Sequence, residues 1–175
     1  MFNSSHVSAN VSLAALASRF HPNIEGDLSN LFHDSDVWNA VQAYDLSIVT
    51  DTFARRNPQY ADDAKALELE CRRFMYLAVV VPNFELAPTK PIDEYWHTFI
   101  LFTREYDKFC HLLSGRYIHH KPLGAADHSV VFARTQEIVT CLFGDFENKQ
   151  FWMLPAPATS CCSAKEADDT PVLIQ

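Results

Sequence analysis

Apolar residues recur at helical spacing through the first half of this chain. Between residues 37 and 53 they return at roughly helical spacing, at Val37, Val41, Tyr44, Ile48 and Phe53, which places them along one face of an α-helix. Ser35 or Asp36 can cap the start of this helix. The pair Asn57-Pro58 ends it, because proline interrupts the helical hydrogen-bond pattern. The pattern therefore predicts one helix from about Val37 to this pair.

The same spacing predicts further helices downstream. Residues 61–80 form the second, in which Glu68 can pair with Arg72 one turn later. Thr89 is a plausible cap for a third helix that continues to about Leu101. The remaining predictions are a fourth helix from Thr103 to Gly115, a loop over residues 116–127, and a fifth helix that stops at Gly144.

Composition agrees with a single helical domain. The 175 residues are 48% hydrophobic and 21% charged, with 4 glycines, too few for a turn-rich β architecture. We predict an all-α, single-domain bundle of about five to six helices with short loops. Residues 1–10 are expected to be a flexible N-terminus and 11–154 the helical domain. Residues 155–175 have the composition of a disordered tail that folding does not require.

Charge and hydropathy exclude several classes of partner. The net charge of −8 disfavours binding to nucleic acid and to anionic membranes, which require a basic surface. There is no apolar run of membrane-spanning length, and residues 11–17, apolar but short and without a preceding Lys or Arg, make a poor signal peptide. The 5 cysteines have no disulfide-scaffold spacing. Reduced thiols and a cytoplasmic location are therefore expected.

Residues 88–122 are unusually dense in side chains that carry chemistry. Asp93 and His97 are four positions apart, so both lie on the same face of the third helix. The carboxylate could hold the imidazole in one tautomer, or both could bind one metal. The alternative is an ordinary hydrogen bond between a helix-start acid and a histidine one turn later.

Three more residues complete the candidate ligand set. They are Cys110 on the fourth helix and the pair His119-His120 in the following loop. Adjacent histidines in an extended segment cannot face the same direction, so only one of the pair is expected to ligate. With Asp93 and His97 they would offer oxygen, nitrogen and sulfur ligands, which suit zinc or a similar divalent ion. Cys110 could alternatively be a nucleophile, or a buried and inert thiol.

Four neighbouring residues have less specific roles: Glu94, Trp96, Tyr106 and Arg116. Trp96 and Tyr106 are expected in the core, with a substrate platform as the alternative for Trp96. Arg116 could clamp a carboxylate or phosphate, or pair with Asp93 or Glu94 and so tie the loop to the third helix.

The order of these short motifs resembles the glycine-rich domain-containing protein-like family, specifically its small bacterial-type members without the glycine-rich region. The resemblance is carried by Pro88-Thr89, Ile92-Asp93-Glu94, Trp96-His97, Tyr106, Cys110, Gly115-Arg116 and His119-His120-Lys121-Pro122. It implies a helical fold and a site, and it supplies no reaction. Family members often carry a second histidine where this chain has Phe99, so the metal role that the resemblance implies is weaker here.

Two functions fit these observations. The first is a cytoplasmic binding or interaction module whose polar cluster would brace the loop and could bind a divalent metal. The second is a metal-dependent hydrolase, in which Glu94 or Asp93 would act as general base on a metal-bound water. The sequence has no phosphate-binding glycine loop, nucleophile elbow or dinucleotide fingerprint. An enzyme is therefore the less favoured reading.

Overall fold

The computed structural model describes residues 36–81, 84–122, 125–143, 147–153 and 162–166. These contain six α-helices and two short strands, in chain order α1 (Asp36–Ala43), α2 (Ser47–Arg56), α3 (Ala64–Val80), α4 (Lys90–Ile100), α5 (Thr103–Ser114), β1 (Ile118–Pro122), α6 (Ala125–Phe143) and β2 (Cys162–Glu166). The predicted all-α bundle is confirmed. Residues 1–35, including the short apolar run, lie outside the described residues, as does the predicted domain boundary at 154–155.

The first predicted helix is two helices, so the prediction of one continuous segment is wrong. A break separates α1 from α2, and Arg72 of α3 occupies it. Its guanidinium donates hydrogen bonds to the carbonyl oxygens of Val41 and, at 2.6 Å, Tyr44. The carboxylate of Asp45 accepts from the Ser47 backbone N–H at 2.9 Å and helps to start α2. A buried cation satisfies the carbonyls that the break leaves without helical partners.

The central helix α3 carries three buried charged residues, Glu68, Glu70 and Arg72. The predicted pair of Glu68 and Arg72 forms at 2.8 Å, with both side chains buried. Glu70, fully buried, accepts hydrogen bonds from Trp152 at 2.7 Å and Arg73 at 2.6 Å. The buried carboxylate of Glu70 thus fixes the position of Trp152 against α3.

Helices α4 and α5 form a tight hairpin beside α3. Helix α4 begins as predicted, but Thr89 makes no side-chain cap hydrogen bond and instead donates to the Phe151 carbonyl. Helix α5 ends at Gly115, whose φ of 75° is the left-handed conformation that glycine adopts without strain. This turn reverses the chain and returns it along the hairpin.

The returning segment is strand β1, so the prediction of an irregular loop over residues 116–127 is wrong. Strand β1 pairs antiparallel with β2, with His120 opposite Ala164 in the register. The rest of the predicted loop includes the start of α6 at Ala125. β2 lies within the segment whose composition predicts a disordered tail, and most of that segment is outside the described residues.

The core lies between α3, α4 and α5. Its largest fully buried side chains are aromatic and include Trp96, Trp152, Tyr95, Tyr106, Phe53, Phe74, Phe99 and Phe109. Among the described residues, none of the helices combines the length and the apolar character needed to cross a membrane.

Candidate functional site

Asp93 and His97 meet on the face of α4 that looks toward β1. The His97 ring donates from Nδ1 to the Asp93 backbone carbonyl at 2.7 Å, and the same nitrogen lies 3.4 Å from Oδ2 of the Asp93 carboxylate. A carbonyl oxygen only accepts, so Nδ1 carries the proton in this arrangement. Nε2 of His97 therefore keeps its lone pair. Metal-binding histidines have the same kind of tautomer, in which one ring nitrogen donates its proton to the protein and the other binds the metal.

His120 reaches this pair from strand β1. Its ring lies 4.3 Å from that of His97, centroid to centroid, in an edge-on arrangement. Its Nε2 lies 3.4 Å from Oδ1 of Asp93. The Asp93 carboxylate thus faces a different imidazole with each oxygen. Donor atoms of the three residues all lie within 4.8 Å of one another.

Two buried atoms of this cluster have no hydrogen-bond partner among the described residues. They are Oδ1 of Asp93 and Nε2 of His120. The two atoms are close, but they are not aligned for a hydrogen bond with each other. An unsatisfied buried polar atom costs about 1–3 kcal/mol. Their juxtaposition therefore marks a place where a bound ion would relieve a desolvation cost.

The protein contains an internal comparison for the Asp93–His97 pair. On α5, His111 also donates Nδ1 to the carbonyl four residues earlier, that of Asp107, at 2.9 Å, and lies 3.4 Å from its carboxylate. Both side chains of that pair are exposed to solvent. The helical spacing alone therefore produces an ordinary pair. What distinguishes Asp93 and His97 is burial of the acid and the third residue, His120.

Trp96 and Tyr106 place β1 against α4. The Trp96 Nε1 donates to the Tyr106 hydroxyl at 3.0 Å, and that hydroxyl donates to the Ile118 carbonyl at 2.7 Å. The Trp96 ring lies 4.4 Å from the His120 ring. Both aromatic residues are fully buried, as the sequence predicted. Trp96 therefore supports the site from the core side.

Cys110 and His119 do not join the cluster. Cys110 faces the core, where burial raises the pKa of its thiol to about 11 despite a hydrogen bond from the backbone of Ile118. A protonated thiol is a poor ligand and a poor nucleophile. His119 lies on the opposite face of β1 from His120, because successive strand residues alternate, and its ring packs 5.0 Å from that of Tyr117.

The other candidates lie around the site. Glu94 pairs with Lys90 on the exposed surface, about 100° around the helix from Asp93. Arg116 is exposed. Phe99 is fully buried between Tyr106 and Phe109, so a histidine at this position would face the core and not the cluster.

Comparisons with known proteins identify a family and no characterised relative. Residues 38–137, more than half of the chain, match the family described as UCP032817-like, and the chain therefore belongs to that family. This corrects the resemblance to the glycine-rich domain-containing protein-like family. Its motifs recur for general reasons, since acids favour helix starts and aromatic residues fill cores. Neither the curated proteins nor the solved structures contain a match.

Proposed function

We propose that this member of the UCP032817-like family is a binding module for a divalent metal ion, with zinc favoured, held by Asp93, His97 and His120. The observation that carries the proposal is the buried, unpartnered pair of Asp93 Oδ1 and His120 Nε2 at 3.4 Å. Ligands of one tetrahedral zinc, each about 2.0–2.1 Å from the ion, lie about 3.3–3.4 Å apart. The separation of the two atoms thus matches one edge of a zinc coordination sphere.

The ligand types support zinc over magnesium or calcium. Two imidazoles and one carboxylate suit zinc and other late first-row ions, whereas magnesium and calcium prefer oxygen ligands. With neutral histidines the cluster carries the single negative charge of Asp93, which attracts a cation. The hydrogen bond from His97 Nδ1 to a backbone carbonyl is the kind of outer contact that orients ligating histidines.

The exposure of the His97 side chain supports a metal site in which one coordination position is open to solvent. Its side chain is 48% exposed, whereas those of Asp93 and His120 are 10% and 15% exposed. Three protein ligands with a fourth, open position are typical of zinc sites that exchange an external ligand. A metal held in this way would be reached from the His97 side.

Metal-dependent hydrolysis is the weaker alternative. It needs a general base beside a metal-bound water. Asp93 is used as a ligand in the proposed site, and Glu94 is paired with Lys90 and points around the helix. We therefore favour binding, with a protein or small-molecule partner. The net charge of −8 argues against a nucleic-acid partner.

The test is zinc stoichiometry in protein purified without a histidine tag, stripped with a chelator and then dialysed against zinc. We expect one zinc per wild-type chain and a loss of most of it in Asp93→Asn, His97→Ala and His120→Ala. The matched control is His111→Ala, which removes a histidine with the same helical pairing but no third ligand. Equal zinc in wild type and all four variants, or none in wild type, would refute the proposal.

A further inference from the structure

We infer that Tyr106 is a positioning residue of the Asp93–His97–His120 cluster, because its hydroxyl fixes the strand that carries His120. The inference rests on the proposed metal site for its effect on affinity. Its structural part, that Tyr106 sets the position of the His120 ring, can be measured without any metal.

The hydrogen bonds of the Tyr106 hydroxyl have a fixed direction. An indole N–H only donates, so Trp96 Nε1 gives its proton to the Tyr106 oxygen, at 3.0 Å. The phenolic proton is then free for the Ile118 carbonyl, at 2.7 Å. Tyr106 is fully buried, and burial raises the pKa of its hydroxyl above the usual range, so the group remains a donor at any physiological pH. One hydroxyl thus joins α4 to the first residue of β1.

This link acts directly on the register of His120. Ile118 and His120 are two residues apart in an extended strand, so they share one face of it. A slip of β1 by one residue would place His119 or Lys121 where His120 now lies and would turn His120 to the far face. The second end of the link is Trp96, whose ring lies 4.4 Å from that of His120. The hydrogen bonds from Trp96 to Tyr106 and from Tyr106 to Ile118 therefore fix both the position of the strand that carries His120 and the aromatic ring against which His120 packs.

Cys110 adds a second contact at the same point. The Ile118 backbone donates a hydrogen bond to its thiol. Ile118 is thus held through both backbone groups by side chains of α5. The hydroxyl of Tyr106 provides the stronger of these contacts, because sulfur is a weak acceptor.

The protein offers a matched control for removing this hydroxyl. Tyr95 is also fully buried, and its hydroxyl lies 2.8 Å from that of Thr50, which in turn donates to Glu68. Its contacts face α2 and α3 and do not involve β1. Tyr95→Phe and Tyr106→Phe therefore each remove one buried, hydrogen-bonded hydroxyl, and only Tyr106→Phe releases the strand.

The experiment measures zinc dissociation constants and, in metal-free protein, the proton shifts of the His120 ring, which the Trp96 ring current displaces. Loss of a direct partner of a ligating residue weakens metal binding about 10–100-fold. Tyr106 acts on His120 through Ile118 and Trp96, so we expect Tyr106→Phe to weaken zinc binding by up to about 10-fold, the lower end of that range, together with moved His120 resonances. Tyr95→Phe is expected to leave the zinc dissociation constant and the His120 resonances at their wild-type values. Trp96→Phe, which removes the donor to Tyr106 but keeps an aromatic ring, provides a second variant and should also weaken zinc binding.

The possible outcomes separate this inference from the proposed function. Wild-type affinity and unchanged His120 resonances in Tyr106→Phe would overturn the positioning role and leave the metal site intact. Absence of zinc binding in wild type, with His120 resonances moved only by Tyr106→Phe, would overturn the metal site and support the positioning role. Equal effects of Tyr95→Phe and Tyr106→Phe would mean that both act through general stability, and would also overturn the inference.

Discussion

Oδ1 of Asp93 and Nε2 of His120 face each other at 3.4 Å, both buried, across the contact between helix α4 and strand β1. The acid is fixed by the first turn of a helix, and the histidine by a strand that the chain reaches only after another helix. A cation between them would satisfy both atoms. This pair distinguishes the cluster from the exposed pair of Asp107 and His111, which has the same helical spacing.

Zinc affinity should fall as the pH is lowered through about 7 to 5.5. A protonated imidazole has no lone pair for a metal, so at acidic pH each of two ligating histidines must lose a proton on binding. Affinity should then fall by up to about two decades per pH unit at the acidic end. Titrations of the wild-type protein at a series of pH values test this. Unchanged affinity between pH 7.5 and 5.5 would show that neither histidine is a ligand.

Trp96→Ala should destabilise the protein by about 3 kcal/mol or more. The side chain is fully buried and its ring packs 5.2 Å from that of Phe74, so truncation leaves a large cavity and also removes the donor to Tyr106. Leu101→Ala, at a side chain that is 62% exposed, is the control and should change stability by less than about 0.5 kcal/mol. Chemical denaturation measures both. Similar midpoints for the two variants would contradict the assignment of Trp96 to the core.

Glu68 should make the protein sensitive to acid. Burial acts to raise the pKa of its carboxyl, but hydrogen bonds from Lys65, Thr50 and Arg72 outweigh burial and lower it. A carboxyl group whose pKa is lower in the folded state than in the unfolded state stabilises the protein at pH values above its unfolded-state pKa. This stabilisation is lost as the pH falls through the folded-state pKa. The free energy of unfolding should therefore decrease from about pH 4.5 downward.

The variant Glu68→Gln removes this titration. It should be less stable than wild type at pH 7, by about 1–3 kcal/mol, and should depend less on pH below 4.5. Glu94→Gln, in an exposed pair with Lys90, is the control and should follow the wild-type curve closely. If the curves of unfolding free energy against pH for wild type and Glu68→Gln were parallel across the acid range, Glu68 would not be the source of the acid sensitivity.

Truncation after Pro155 should affect β1 and spare the helical core. The truncation removes β2, the partner of Ile118–Pro122, while the buried aromatic residues of the core remain. Two short strands contribute little stability alone, so the melting temperature should change little. Amide hydrogen exchange should accelerate at residues 118–121. A large drop in melting temperature would show that β2 stabilises the helices; unchanged exchange would show that β1 does not depend on β2.

Local sequence signals were sufficient for most of the helical architecture. Proline at position 58 and glycine at position 115 end helices at the predicted places, because both effects act within a few residues. The break between α1 and α2 depends on Arg72, a residue of another helix that donates to carbonyls in the break. Such a contact, between residues far apart in the sequence, cannot be predicted from the local hydrophobic pattern.

The candidate site was predictable to a similar extent. The spacing of Asp93 and His97 follows from helix geometry, and alternation along an extended segment separates His119 from His120. The strand itself arises from pairing with β2, distant in the sequence, so the loop prediction missed it. Whether Cys110 faces the core or the histidines depends on the rotation of α5 against α4, which tertiary packing decides.

The most direct test of the metal site is the X-ray absorption spectrum of zinc-loaded wild-type protein at the zinc edge. We expect a first shell of nitrogen and oxygen atoms at about 2.0–2.1 Å with the outer scattering of two imidazoles, and a loss of one imidazole contribution in His120→Ala. Zinc held with a sulfur ligand at about 2.3 Å, or with two imidazoles still present in His120→Ala, would contradict this expectation.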